Sequence, residues 1–101
     1  MQPETVVRKM EEYIQDFRAQ LEKNDMASLA VLTNNMSLFF DDLEGELPAN
    51  SDFGLKIEEL RECSDRFGKA CEQKSMQQAA SALAEMESTM QNLKQQCAAA
   101  A

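Results

Sequence analysis

The amino-acid sequence predicts an all-α fold, an antiparallel up-down-up-down four-helix bundle, and three observations carry that prediction. Apolar residues recur in alternating steps of three and four along four separate stretches, the spacing of a helix that packs against other helices at a shallow angle. The stretches are separated by short connections rich in turn and capping residues, which reverse the chain each time. β-branched residues are sparse after Val7, whereas Leu, Met and Ala supply most of the apolar content, a mixture that suits helices better than strands.

The first stretch, Val7, Met10, Ile14, Phe17 and Leu21, places a helix at about 3–23, with Pro3 in the first turn, where its missing N–H is harmless. Asn24 or Asp25 then supplies an N-cap for a second helix at about 25–44, whose seam is Leu29, Leu32, Met36, Phe39/Phe40 and Leu43. Gly45 and Pro48 close that helix and open the longest connection, which runs to Ser51. Ser51 or Asp52 caps a third helix at about 52–73, carrying Ile57, Leu60, Ser64, Phe67 and Cys71. Ser75, with Gln78 three residues on, matches a capping box and starts a fourth helix at about 76–97. Its seam is Met76, Ala79, Leu83, Met86, Met90, Leu93 and Cys97. Helices of about 20 residues are about 30 Å long, so four of them can bury their seams against one another in a single domain spanning 1–101.

A weak internal repeat runs through the chain at an offset of 50 residues. It pairs Val7 with Ile57, Met10 with Leu60, Phe17 with Phe67, Met26 with Met76, Met36 with Met86 and Leu43 with Leu93. The chain therefore reads as two equivalent helical hairpins.

Composition narrows the function. The formal net charge of −8 repels phosphate backbones, so neither nucleic acid nor an anionic membrane is an expected partner. No stretch is long and apolar enough to span a bilayer, and Met1-Gln2-Pro3-Glu4 lacks the regions of a signal peptide. The chain reads as cytoplasmic, or as periplasmic if a signal peptide has been removed. Three Cys fit neither a disulfide framework nor a zinc site.

Histidine is absent, which removes the usual general base and the commonest metal ligand. The doublets Glu11-Glu12, Asp41-Asp42 and Glu58-Glu59 point in different directions around their helices and read as solvated faces. The acidic segment Asp41 to Glu46 fails the register of a calcium-binding loop. Gly68 lies mid-helix, where it costs about 1 kcal/mol against Ala unless a close helix approach or a kink compensates. Soft ligands are plentiful in seven Met and three Cys, yet they read as core filling. The chain is thus expected to be no enzyme, with no catalytic residues, no metal and no cofactor. Tyr13, Phe39 and Phe40 are the candidate partner-binding residues, because adjacent aromatics can leave one member on the flank of a seam.

Met10 stands in the first helix, Met36 and Leu43 lie on the core face of the second, and Glu72-Gln73-Lys74-Ser75 turns the third into the fourth. The fourth helix ends Lys94-Gln95-Gln96-Cys97-Ala98. With the helix and loop lengths, these positions resemble the four-helix-bundle cytochromes, the soluble periplasmic b-type cytochrome and cytochrome c prime. The resemblance runs from Val6 to Ala98 and implies the same fold. It implies that Met10 sits where the b-type member has its Met haem ligand. Cys97 matches one thiol of the c-type attachment motif, while Lys94 stands in place of the other and Ala98 in place of the His.

The function expected is a non-catalytic helical binding module, a small acidic chaperone or adaptor as in bacterial secretion and flagellar systems, acting as a monomer or weak homodimer on a protein partner. The alternative is a degenerate cytochrome-like bundle that binds haem or Cu(I) through Met10 and Cys97.

Overall fold

The 3,4-periodic stretches form four helices in the computed structural model: α1 Pro3–Glu22, α2 Met26–Glu44, α3 Asp52–Glu72 and α4 Met76–Ala100. The structure describes residues 3–44, 46 and 52–100, with side chains at 4–44, 46 and 52–96. Most of the connection from Gly45 to Ser51, including the Ser51 cap, lies outside the described residues; within it, the Glu46 N–H donates to the Leu43 carbonyl at 3.0 Å. The fourth helix continues past 97, through an alanine-rich end with high helix propensity.

Each helix packs on its two ring neighbours, α1 on α2 and α4, and α3 on α2 and α4, with no close approach across the diagonals among the described residues. That ring, with short reversals at 22–26 and 72–76, is an antiparallel up-down-up-down four-helix bundle. Its long axis of 38 Å matches the length of α4 at about 1.5 Å per residue.

Both tight reversals are built alike. At the end of α1, Asn24 adopts the left-handed conformation (φ 58°), its N–H donates to the Leu21 carbonyl at 3.0 Å, and the Asp25 N–H reaches back to the Gln20 carbonyl at 3.0 Å. This is a Schellman ending, which satisfies carbonyls that the helix leaves open. Asp25 then caps α2: its carboxylate accepts from the Ser28 N–H at 3.1 Å and from the Ser28 hydroxyl at 2.8 Å. Fifty residues on, Lys74 is left-handed (φ 57°), its N–H donates to Cys71, and the Ser75 N–H donates to the Ala70 carbonyl at 2.9 Å. The Ser75 hydroxyl accepts from the Gln78 N–H at 3.4 Å. Only half of the expected capping box is therefore made, because the Ser75 N–H that Gln78 would have served is already held by Ala70.

The seams close into one core. Val7, Met10, Ile14, Phe17, Leu29, Met36, Leu43, Ile57, Leu60, Phe67, Leu83, Met86, Met90 and Leu93 are all buried. At the centre Phe17 and Phe67, the repeat-related pair, stack with ring centroids 5.0 Å apart and planes inclined by 24°. Val6, Cys63, Ala70 and Ala82 are buried as well, since a helix with two ring neighbours covers a stripe wider than one seam. Met76 at the start of α4 is instead 39% exposed.

The hairpins differ in side-chain size. Leu29, Leu32, Tyr13 and Ile14 of the first correspond to Ala79, Ala82, Cys63 and Ser64 of the second. Small residues let backbones approach, and α3 and α4 accordingly form the most closely packed pair of the ring.

Candidate functional site

Phe39 and Phe40 do not form an exposed flank. Phe39 is 8% exposed and Phe40 is 2% exposed, so both belong to the core, and α2 spends two adjacent positions facing its two ring neighbours. Tyr13 is half-buried, with its ring centroid 6.1 Å from that of Phe39. Cations close what remains: Lys9 Nζ lies 5.7 Å from the Phe39 centroid, and the Arg61 guanidinium lies 5.8 Å from the Phe40 centroid. Reading one of two neighbouring Phe residues as a free flank is thus corrected by the width of the buried stripe.

Met10 is fully buried in the core cluster. Cys97, its proposed partner in holding haem or Cu(I), has a side chain outside the described residues. Among the described residues no three His, Cys, Asp or Glu side chains gather as a metal site would need. Cys63 and Cys71 are buried free thiols. Burial pushes both thiols up; at Cys63 the nearby Arg66 guanidinium, which donates to Sγ at 3.2 Å, works the other way. Arg66 also pairs with Glu85 at 2.7 Å, so its charge is shared between α3 and α4. A thiol held protonated is a poor nucleophile.

Two surface features emerge that sequence patterns did not bring out. Along α2, the fifteen residues from Met26 to Phe40 carry no charge, in a chain where 28% of residues are charged. The outward side of that run holds Val31, 60% exposed, and Leu38, 54% exposed. They stand seven residues apart on one stripe, about 10 Å along the helix.

Beside that face, between the upper halves of α2 and α3, lies an open groove of about 540 Å³. Buried Ser64 and Cys71 form its floor, and half-buried Met26, Thr33 and Gly68 its walls. Asp65, Lys69 and Glu72 stand exposed at its α3 rim. The Ser64 hydroxyl lies 3.6 Å from the Met36 sulfur, its weak acceptor. Gly68 is the residue whose mid-helix position asked for an explanation. Its expected partner, a close helix approach, is not what is found: a Cβ there would meet only Thr33, at 3.9 Å, which is ordinary contact.

The equivalent interface between α4 and α1 is bridged by an ion pair. Fifty residues away from Ser64, Thr33, Gly68 and Ser37 stand Ile14, Leu83, Arg18 and Glu87, each of them larger. Arg18 bridges to Glu87 in a two-pronged ion pair, Nε to Oε2 at 2.8 Å and Nη2 to Oε1. In the lower halves both interfaces are bridged, with the signs exchanged. Glu11 on α1 pairs with Lys94 on α4, while Arg61 on α3 pairs with Glu44 at 3.0 Å and Asp41 at 2.6 Å on α2. Only Gly68's presence mid-helix hinted at the open groove in the sequence.

Set against protein families, curated proteins and solved structures, the chain finds no match. The likeness to bundle cytochromes therefore rests on layout and a few positions. Among the described residues no helix is long and apolar enough to cross a membrane.

Proposed function

We propose that this chain is a non-catalytic helical binding module, concretely a small acidic chaperone or adaptor of the kind used in bacterial secretion and flagellar systems. The observation that carries this reading is the charge-free outward face of α2, where Val31 and Leu38 stand in line and exposed. Isolated exposed apolar residues are common on any protein, but Val31 and Leu38 stand at the i, i+7 spacing that helix-to-helix recognition uses, on a face with no charge. The net charge of −8 selects against anionic partners and favours basic ones.

The test compares wild type with a Val31→Lys/Leu38→Lys variant. Both positions are exposed, so their replacement leaves stability within about 0.5 kcal/mol. Affinity capture from cell extract is expected to recover a discrete protein with wild type and to lose it with the variant. Recovery of the same proteins by both would defeat the reading. Titration of the purified chain with haem or Cu(I) addresses the cytochrome-like alternative: a stoichiometric Soret shift or copper uptake would favour that alternative over the binding module.

A further inference from the structure

The α2/α3 groove has an internal control, its counterpart fifty residues away between α4 and α1. There the long stem of Arg18 spans the interface and its guanidinium is anchored on Glu87. In the α2/α3 pair Gly68, in the groove lining, takes the arginine's position, and Ser37, one turn beyond Thr33 on α2, takes that of its anchor. What is missing is thus one aliphatic stem ending in a cation. The groove offers both halves of the complementary surface. Thr33, Gly68 and Met26 line it without charge, and Asp65 and Glu72 stand at its rim with no ion pair within 4 Å among the described residues, Asp65 feeling at longer range the charge of Arg61, which Asp41 and Glu44 already hold. Lys69 shares the rim and leaves it with a net negative charge. On the α2 side the groove borders the charge-free face, a surface chemically suited to the apolar side of a helix.

We propose that this groove receives a basic amphipathic helix of a partner protein, with an arginine or lysine stem laid over Gly68 and its cation at Asp65 and Glu72. The guest side chain takes the place that Arg18 fills on the other side of the bundle. Burying an apolar stem while holding the charged head at a wet rim suits these side chains, and arginine's planar fork suits paired carboxylates. The inference rests on the binding-module reading and names the partner's chemistry.

The experiment uses the full chain and a fluorescein-labelled 18-residue helical peptide of leucine, alanine and arginine, with a glutamate-for-arginine peptide as its counterpart. Fluorescence anisotropy is expected to show binding of the arginine peptide alone, with NMR shifts concentrated at Ala30, Thr33 and Gly68. A Gly68→Arg/Ser37→Glu variant copies the Arg18–Glu87 bridge across the groove and is expected to weaken binding by about tenfold or more, with an unchanged or higher melting temperature. A second variant, Asp65→Asn/Glu72→Gln, leaves the groove open and is expected to weaken binding by about fivefold or more. Glu12→Gln/Glu58→Gln removes the same charge elsewhere and is expected to change it less than about twofold. The proposal is overturned if the arginine peptide does not bind, if closing the groove leaves its affinity unchanged, or if the two charge-removing variants lose affinity equally. Partner capture that still depends on Val31 and Leu38 in any of those cases leaves the binding-module reading standing, so the two failures are told apart.

Discussion

Replacing Phe67 by alanine removes a fully buried ring from the middle of the bundle and, with it, the face against which Phe17 stacks at 5.0 Å. Truncating a buried Phe costs about 3–5 kcal/mol. A chain of this size has about 5–15 kcal/mol in all, so the single variant stands close to unfolding. Phe17 occupies the equivalent place in the first hairpin and is equally buried, so Phe17→Ala is expected to match Phe67→Ala to within about 1 kcal/mol. The double variant is expected to fall short of the sum. Aromatic contact contributes about 0.5–1.5 kcal/mol beyond area, and one shared cavity is less costly than two separate ones. Urea denaturation followed by circular dichroism measures all three. A parallel Phe17→Leu, Phe67→Leu cycle keeps the core filled, at about 1–2 kcal/mol per substitution, should an alanine variant not fold. A Phe67→Ala loss below about 0.5 kcal/mol would place that ring at the surface and refute the seam. Strict additivity in both cycles would refute the stack.

Two further predictions concern the tight reversals. Lys74 holds a left-handed conformation that costs an L-residue about 1–2 kcal/mol, so Lys74→Gly is expected to raise stability by about 0.5–1 kcal/mol after the added chain entropy of glycine is offset. Asn24→Gly should gain less, because Asn tolerates that conformation, and thermal melts giving the reverse order would contradict the turn geometry. At Asp25 the bonds from the Ser28 side chain and backbone hold the carboxyl below the usual carboxylate range. A folded value below the unfolded one contributes stability above the unfolded value, near pH 4, and loses it as pH falls through the lowered one. Asp25→Asn caps without titrating, so urea midpoints at pH 7 and pH 3 should fall less for this variant than for wild type; an equal fall would show that Asp25 is not the group responsible.

The helices and most of their buried residues were legible because a 3.6-residue period is a local signal, carried by residues such as Met10, Phe17 and Leu83 whatever lies opposite. Asp25 and Ser75 were legible as caps for the same reason, since the bonds they accept come from three residues away. Lys74 was not legible as a left-handed terminator, because no glycine marks it and only the register of the bonds to Ala70 and Cys71 shows it. Phe39 and Phe40 misled because adjacency says that two residues point apart, but not that a neighbouring helix stands in each direction.

The groove belongs to the second kind of information. Local periodicity and capping chemistry already specify four helices, their order and their reversals, since each depends on contacts within a turn or two of chain. Which faces stay open depends on the volumes of side chains brought together from different helices. Gly68 acquires a meaning only beside Thr33 and in comparison with Arg18, and Phe40 loses its exposure only beneath Arg61. Close packing is a property of the assembled layers, so tertiary structure alone decides where the bundle is complete and where a side chain from elsewhere would fit.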